Sequence, residues 1–360
     1  RSTEAVVSAM KMAENRKTRF GFGLLALMAM MNIGCGRPAG IIFPPLEKPI
    51  IWPQAPEKPR IKYVGQLVTS DDLKPAIPFG QGLGEAIFGK KPARSMLTPY
   101  AICTDGKDRV FVADSGAQLV HVFNLNTRLY EQWKPPEPIR FSQPVGIAWD
   151  PAGRLYVADS VSGRIFMFDT SGRMTGLIGS SMVVRPCGLA FDPKSRRLFV
   201  ADPGTHQLRV FSSDGRPLAS IGSRGIELGQ FNFPTNVAVD SQGLIYVADS
   251  LNFRVQQFAP ALKPIRQIGR KGDMPGYFGQ PKGLAIDSQE HLYAVDAHFE
   301  AVQIFDHGGN LLMDFGQEGS NPGEFWLPAG IFVDSHNRIW VADSYNRRVQ
   351  VFDYLPEVQQ

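Results

Sequence analysis

The chain has 360 residues, of which 43% are hydrophobic and 20% charged, with a formal net charge of +4. This composition readily supplies a packed core. Three cysteines exclude a disulfide scaffold, and the mild basicity permits anionic partners without demanding them, because no long Lys/Arg run accompanies it.

The first segment reads as an address. Arg16, Lys17 and Arg19 precede an apolar stretch from Phe20 to Gly34, which ends at Cys35-Gly36. A basic start, a short apolar middle and small residues at a processing point make a secretory signal. The stretch is shorter than the roughly 20 residues a helix needs to cross a bilayer. Ile33-Gly34-Cys35 resembles the lipobox of bacterial lipoproteins, with Asn32 where leucine is usual. The resemblance implies that residues 1–35 are a signal peptide and that the Cys35 thiol is lipidated and becomes the new N-terminus. Met12 is the better start than Arg1. Two or more acyl chains anchor a protein stably, and Gly36 in place of Asp favours the outer membrane or cell surface. An ordinary signal peptide or an uncleaved anchor is the alternative.

Residues 36–60 hold seven prolines, from Pro38 to Pro59, and are expected to be a semi-rigid tether in extended polyproline conformation. Ile41-Ile42-Phe43 and Ile50-Ile51-Trp52 are equally consistent with a tail wrapped on the folded domain. Residues 61–68, Ile61-Lys62-Tyr63-Val64-Gly65-Gln66-Leu67-Val68, read as a strand. The insertion 69–98 holds one short helix capped by Ser70-Asp71-Asp72 and a second over Leu83 to Lys91. A loop of that length is usually functional or disordered. It is read as a lid or as a docking element.

From Pro99 onward one sentence is spoken six times. The copies begin at Pro99, Pro144, Pro186, Pro234, Pro281 and Pro328 and read PYAICTD…VFVADS, PVGIAWD…LYVADS, PCGLAFD…LFVADP, PTNVAVD…IYVADS, PKGLAID…LYAVDA and PAGIFVD…IWVADS. A period of about 45 residues fits a propeller blade or a two-helix repeat, and the short β-branched runs between polar turns choose the blade. The fold class is therefore all-β, a six-bladed β-propeller over 61–355. The last copy lacks a fourth strand, and 61–68 is expected to supply it, leaving only short protected edges. Asp150 and its equivalents open turns. Asp114, Asp159, Asp202, Asp249, Asp296 and Asp343 recur once per blade, which favours a turn-capping role over a metal ring.

These residues resemble NHL-repeat six-bladed propellers, with Tyr246-Val-Ala-Asp-Ser-Leu-Asn-Phe-Arg-Val and Trp340-Val-Ala-Asp-Ser-Tyr-Asn-Arg-Arg-Val as the most specific instances. The resemblance covers Pro99 to Asp353. It implies several activities, each to be tested on the site. Amidating lyases of this fold place zinc-binding histidines after the blade-opening prolines; here those positions hold Tyr100, Val145, Cys187, Thr235, Lys282 and Ala329. Lactonases of similar shape hold a cation with channel carboxylates and an Asn; here the channel register reads Ala101, Gly146, Gly188, Asn236, Gly283 and Gly330, a single candidate ligand where Ca²⁺ wants about six to eight oxygens. No cofactor is expected, with Ca²⁺ or Zn²⁺ as the exception a degenerate site would need, and no catalytic or metal-ligating set is assigned.

In such a fold the loops that feed the inner strands gather with the turns between second and third strands. Arg140, Arg185, Arg224, Arg270, Lys271 and Lys282 are expected there, with Asn236, His298, Phe299 and Trp326, and with Phe231, Tyr277 and Phe278 as further exposed aromatics. Cations beside aromatics suit an acidic protein surface, a polyanionic glycan or a carboxylated small molecule. The expected function is a non-enzymatic, surface-tethered binding or scaffold propeller of the cell envelope, mediating protein or glycan interactions. Exported redox proteins and polysaccharide machinery are candidate partners, and nucleic acid is not. The alternative is a metal-dependent, lactonase- or lyase-like hydrolase using the channel.

Overall fold

The computed structural model describes residues 37–78, 87–90, 92–179 and 181–355. The signal peptide, the Cys35 anchor and residues 83–86 and 91 of the second expected helix lie outside the described residues. The chain divides into two compact units, 1–40 with 74–92 and 41–73 with 93–360. In the first, Arg37 and Ile77 exchange backbone hydrogen bonds, and the Gly40 N–H donates to the Lys74 carbonyl.

The second unit is an all-β six-bladed propeller. Blade 2 shows the plan: Pro144–Asp150 innermost, then Arg154–Asp159, Arg164–Phe168 and the outer Met174–Ile178, all antiparallel. In every blade but the third, whose inner strand starts at Leu189, the inner strand begins on proline, which has no N–H to donate and is therefore tolerated at a strand start on an edge. The second strands are rich in β-branched and aromatic residues and are buried on both faces, so they read as continuous apolar runs rather than alternating ones.

Blade 6 takes Pro328–Val333, Arg338–Asp343 and Arg348–Tyr354, and beside the last of these lies Ile61–Leu67, antiparallel, with Leu67 opposite Val349 and Lys62 opposite Asp353. Ile51–Trp52 adds a short fifth strand, and the Trp52 ring sits 5.8 Å from Phe315 and 5.9 Å from Phe352. Phe43 packs 6.3 Å from Trp340. Within 41–60, then, Ile42, Phe43, Ile50 and Trp52 pack on the apolar clusters of the ring, while Ile41 and Leu46 stay exposed. Ser70–Leu73 is a 3₁₀ turn whose Asp72 carboxylate accepts the N–H groups of Val68 and Thr69.

The core sits between blades. One apolar cluster fills the junction of blades 1 and 2 around Phe111, Ile147 and Phe166. Another joins blades 6 and 1 through Trp340, Ala342, Ile102 and Val112. Basic side chains at the start of second strands tie blades 1 to 2, 2 to 3 and 3 to 4: Arg109 donates to the Thr170 carbonyl, Arg154 to that of Ser213 and Arg197 to that of Pro260. At the last junction the Ser344 hydroxyl donates to the Pro99 carbonyl at 2.6 Å.

Candidate interaction face

Antiparallel pairing sets the blade-opening prolines of five blades opposite the aspartate that ends the second strand, as in Pro144 with Asp159 and Pro328 with Asp343. The loops that enter the inner strands and the turns between second and third strands therefore share one end of the ring. We call this the entry face. The turns between first and second strands lie at the opposite end.

The entry face is held by the buried aspartates. Asp114 accepts the N–H groups of Leu97, Thr98, Gly116 and Ala117, and Asp296 those of Gly279, Gln280 and His298. In blades 4 and 6, Asn252, Arg254 and Gln256 donate to Asp249, and Asn346, Arg348 and Gln350 to Asp343. These carboxylates thus serve turns and entry loops, which is why each blade repeats one. Among the described residues no group of three or more His, Cys, Asp or Glu side chains converges.

Three entry loops share a clamp. Buried Gln256, Gln303 and Gln350 accept the N–H of Gly229, Gly276 and Gly323 at 2.8, 3.0 and 2.8 Å, and donate to the carbonyls of Gln230, Tyr277 and Glu324. Those glycines have φ of +85°, +82° and +83°, a region an L side chain enters at a cost. Two residues further on, Phe231, Phe278 and Phe325 are fully buried. This corrects the expectation that Phe231 and Phe278 are exposed binding aromatics. They plug the loop into the blade, 5.7 Å from Phe258 and 5.7 Å from Phe305, because the tight glycine turn directs the following ring inward.

The expected cations are placed unevenly. Arg270 lies 4.4 Å above the half-buried Tyr277 ring, Lys271 4.9 Å from Phe253, and Arg185 5.4 Å from Phe233. Stacking of this kind fixes the direction of a long side chain. Arg224 is exposed in the loop before blade 4. Arg140 is paired with Glu137 at 3.1 Å, both exposed. Lys282, second in the inner strand of blade 5, is half-buried; burial pulls its amine below the ordinary value, with Glu300 acting the other way. The carboxyl of Glu300 is raised, first by burial, and accepts the Leu327 N–H. His298 is exposed and Phe299 half-buried, their rings 5.1 Å apart. Trp326 is exposed, 5.5 Å from Tyr345. Asn236 does not join them: it lines the central channel, and its Oδ1 faces the Leu284 N–H at 3.4 Å.

The apolar side of the entry face is less legible in sequence. Ile226 is 73% exposed, Val161 68%, Met274 62%, and Val184 and Tyr345 56%. One signal was available. Val161, Leu251 and Tyr345 each follow an Asp-Ser pair, a turn position where an apolar residue has no local reason to be. The first-to-second strand turns at the opposite end, among them Pro151 to Gly153, Ser241 to Gln242 and Ser288 to Glu290, carry none of the exposed large apolar side chains, and of the third-to-fourth strand turns at that end only the one in blade 1 carries one, Leu129 at 61%.

The family model for the NHL repeat matches residues 141–168, 231–258 and 325–352. NHL repeat-containing protein 2 of Gallus gallus is 29% identical over 97 residues, a stretch that takes in 23% of this chain and 13% of that protein. The chain thus spans a small part of this curated relative's length. An auxiliary nutrient binding protein from Bacteroides thetaiotaomicron superposes with a TM-score of 0.57 at 14% identity, over 72% of this chain and 69% of that one. Virginiamycin B lyase from Staphylococcus aureus superposes with a TM-score of 0.54 at 13% identity, over 72% and 95%. At such identities the likeness is one of fold. Repeat motif, matched segments and architecture agree: this chain carries NHL repeats, and it folds them into a six-bladed β-propeller.

Proposed function

We propose that this propeller is a non-enzymatic binding scaffold, tethered to a membrane of the cell envelope through Cys35, that docks a protein partner on its entry face. The observation that carries the reading is the asymmetry between the two ends of the ring. The entry loops and turns carry most of the exposed large apolar side chains, with Arg185, Arg270 and Lys271 stacked on rings beside them. Three of the loops are clamped by buried glutamines. The turns at the other end expose one large apolar side chain, Leu129, with Arg109 and Arg197 lying over rings at the heads of their strands. Rigid loops bind at a lower ordering cost, and aromatic, Met and Arg side chains are the ones enriched at interfaces. The cations select a partner surface that carries carboxylates beside aliphatic groups. An auxiliary nutrient binding protein among the structural neighbours supports a binding role for such a ring.

Two experiments test the reading. Chemical cross-linking in envelope fractions, with Arg270→Glu/Lys271→Glu beside the unaltered chain, is expected to lose a discrete cross-linked product; equal capture by both rejects the face. Labelled palmitate is expected to enter the unaltered chain and not Cys35→Ser, which then moves to the soluble fraction. Equal labelling of the two rejects the anchor.

A further inference from the structure

A cavity of about 360 Å³ runs along the ring axis. Its wall starts at the third residue of the inner strands, with Ala101, Gly146, Gly188, Asn236 and Gly330, and continues to the first-to-second strand turns at Asp105, Pro151, Pro193 and Ser335. None of the blade-opening Pro-X pairs lines it. The reason is convergence of the strands. A Cβ on Gly146 would lie 1.8 Å from the Cys187 carbonyl oxygen, one on Gly188 2.5 Å from the Asn236 Cα, and one on Gly330 2.4 Å from the Tyr100 carbonyl oxygen. Three residues along each strand the side chains are larger, including Trp149, Phe191 and Ile286, and they hold the blades apart. The channel is a funnel, narrow at the entry face and open on the opposite face.

The geometry points to a binding site for a small uncharged molecule with an apolar body and hydrogen-bonding groups. Asp105 is the one ionisable side chain in the acid or base classes that reaches the wall, and Arg109 already holds it at 2.8 Å. A charged ligand would leave water here without a free counter-charge, which is costly. An uncharged one finds apolar contacts on Ile147, Leu189, Val237 and Leu284. Its polar groups find the Asn236 amide and the inner edge of the first strands, each of which is paired within its sheet on one side only, so that edge groups other than those bonded between strands, such as Gly188 N–H to the Thr235 carbonyl and Leu284 N–H to the Asn236 Oδ1, face the axis. The volume lies at the small end of ligand pockets, which span about 300 to 1,000 Å³. This site is separate from the docking face and stands or falls without it.

The test titrates N-phenyl-1-naphthylamine, an uncharged fluorophore, into the purified chain and reads its emission. A saturable one-to-one enhancement is expected. Ser335→Trp, at the exposed mouth, and Val239→Glu, inside the funnel, should each weaken it at least tenfold, whereas Met274→Asp at the other end should leave it unchanged. Thermal melts establish that each variant is folded, and Ser335→Trp stands alone if Val239→Glu unfolds the ring. Absence of a saturable signal overturns the site. So does a signal that Met274→Asp removes and Ser335→Trp leaves intact, which would put the probe on the exposed apolar face.

Discussion

At the scale of single residues, most of the conspicuous polar groups hold turns. Asp114 shows how. Burial by itself would raise its carboxyl, but the His121 side chain and the N–H groups of Leu97, Ala117 and Thr98 hold it below its ordinary value of 3.8. Its oxygen lies 3.0 Å from the His121 Nε2, and both side chains are fully buried. A carboxyl with a folded pKa below its unfolded one adds stability that is complete above the unfolded value and is lost as pH falls through the folded value. The urea midpoint of the unaltered chain should therefore decline in acid below about pH 4, and Asp114→Asn should be less stable at neutral pH with a shallower acid decline. Identical acid profiles for the two proteins would refute this role. The channel glycines make a second case. Gly146→Ala puts a methyl group against the Cys187 carbonyl, and the strand shift needed should cost about 1–3 kcal/mol in denaturant melts. A neutral result would mean the inner strands are not in close contact.

At the scale of elements, the sheet of blade 6 joins segments from both ends of the domain. Ile61–Leu67 covers the edge of Arg348–Tyr354, an edge that would otherwise offer unpaired backbone groups to other chains. Ile51–Trp52 covers the next edge in turn. Trp52→Ala removes a half-buried ring from Phe315 and Phe352, with an expected loss of about 2 kcal/mol, less than for a fully buried ring. Its melting midpoint should fall, and an unchanged midpoint would show that 41–60 contributes nothing to the blade. The strands themselves were legible in sequence because their signal is local. A proline and an apolar run ending in aspartate recur in each copy, and an Asp-Ser turn in four of the six. The entry loops were less legible. Phe231 and Phe278 look like free aromatics until the positive φ of Gly229 and Gly276 turns them into the blade, and the Arg109, Arg154 and Arg197 links between blades leave no mark except a basic residue at the head of the second strand.

At the scale of the whole ring, the two ends differ in chemistry although the blades are alike. Repetition equalises the packed strands, whose side chains all meet the same neighbours. It leaves the loops free to diverge, and most of the exposed large apolar side chains of the turns have gathered at the entry end, beside Arg185, Arg270 and Lys271. The same convergence that narrows the channel at that end opens it at the other, so docking and small-molecule binding are assigned to separate faces. The face-directed variants Arg270→Glu/Lys271→Glu and Met274→Asp should therefore leave the fluorophore site intact.

What the amino-acid order determined by itself was the number of blades, the order of strands within each and the turn role of the repeated aspartates, because each rests on contacts within one copy of the repeat. Only the tertiary structure decided which aromatics reach water, where the channel closes and which cations stand beside apolar groups. Those outcomes depend on backbone from a neighbouring blade, and no local periodicity records how closely two neighbouring strands approach.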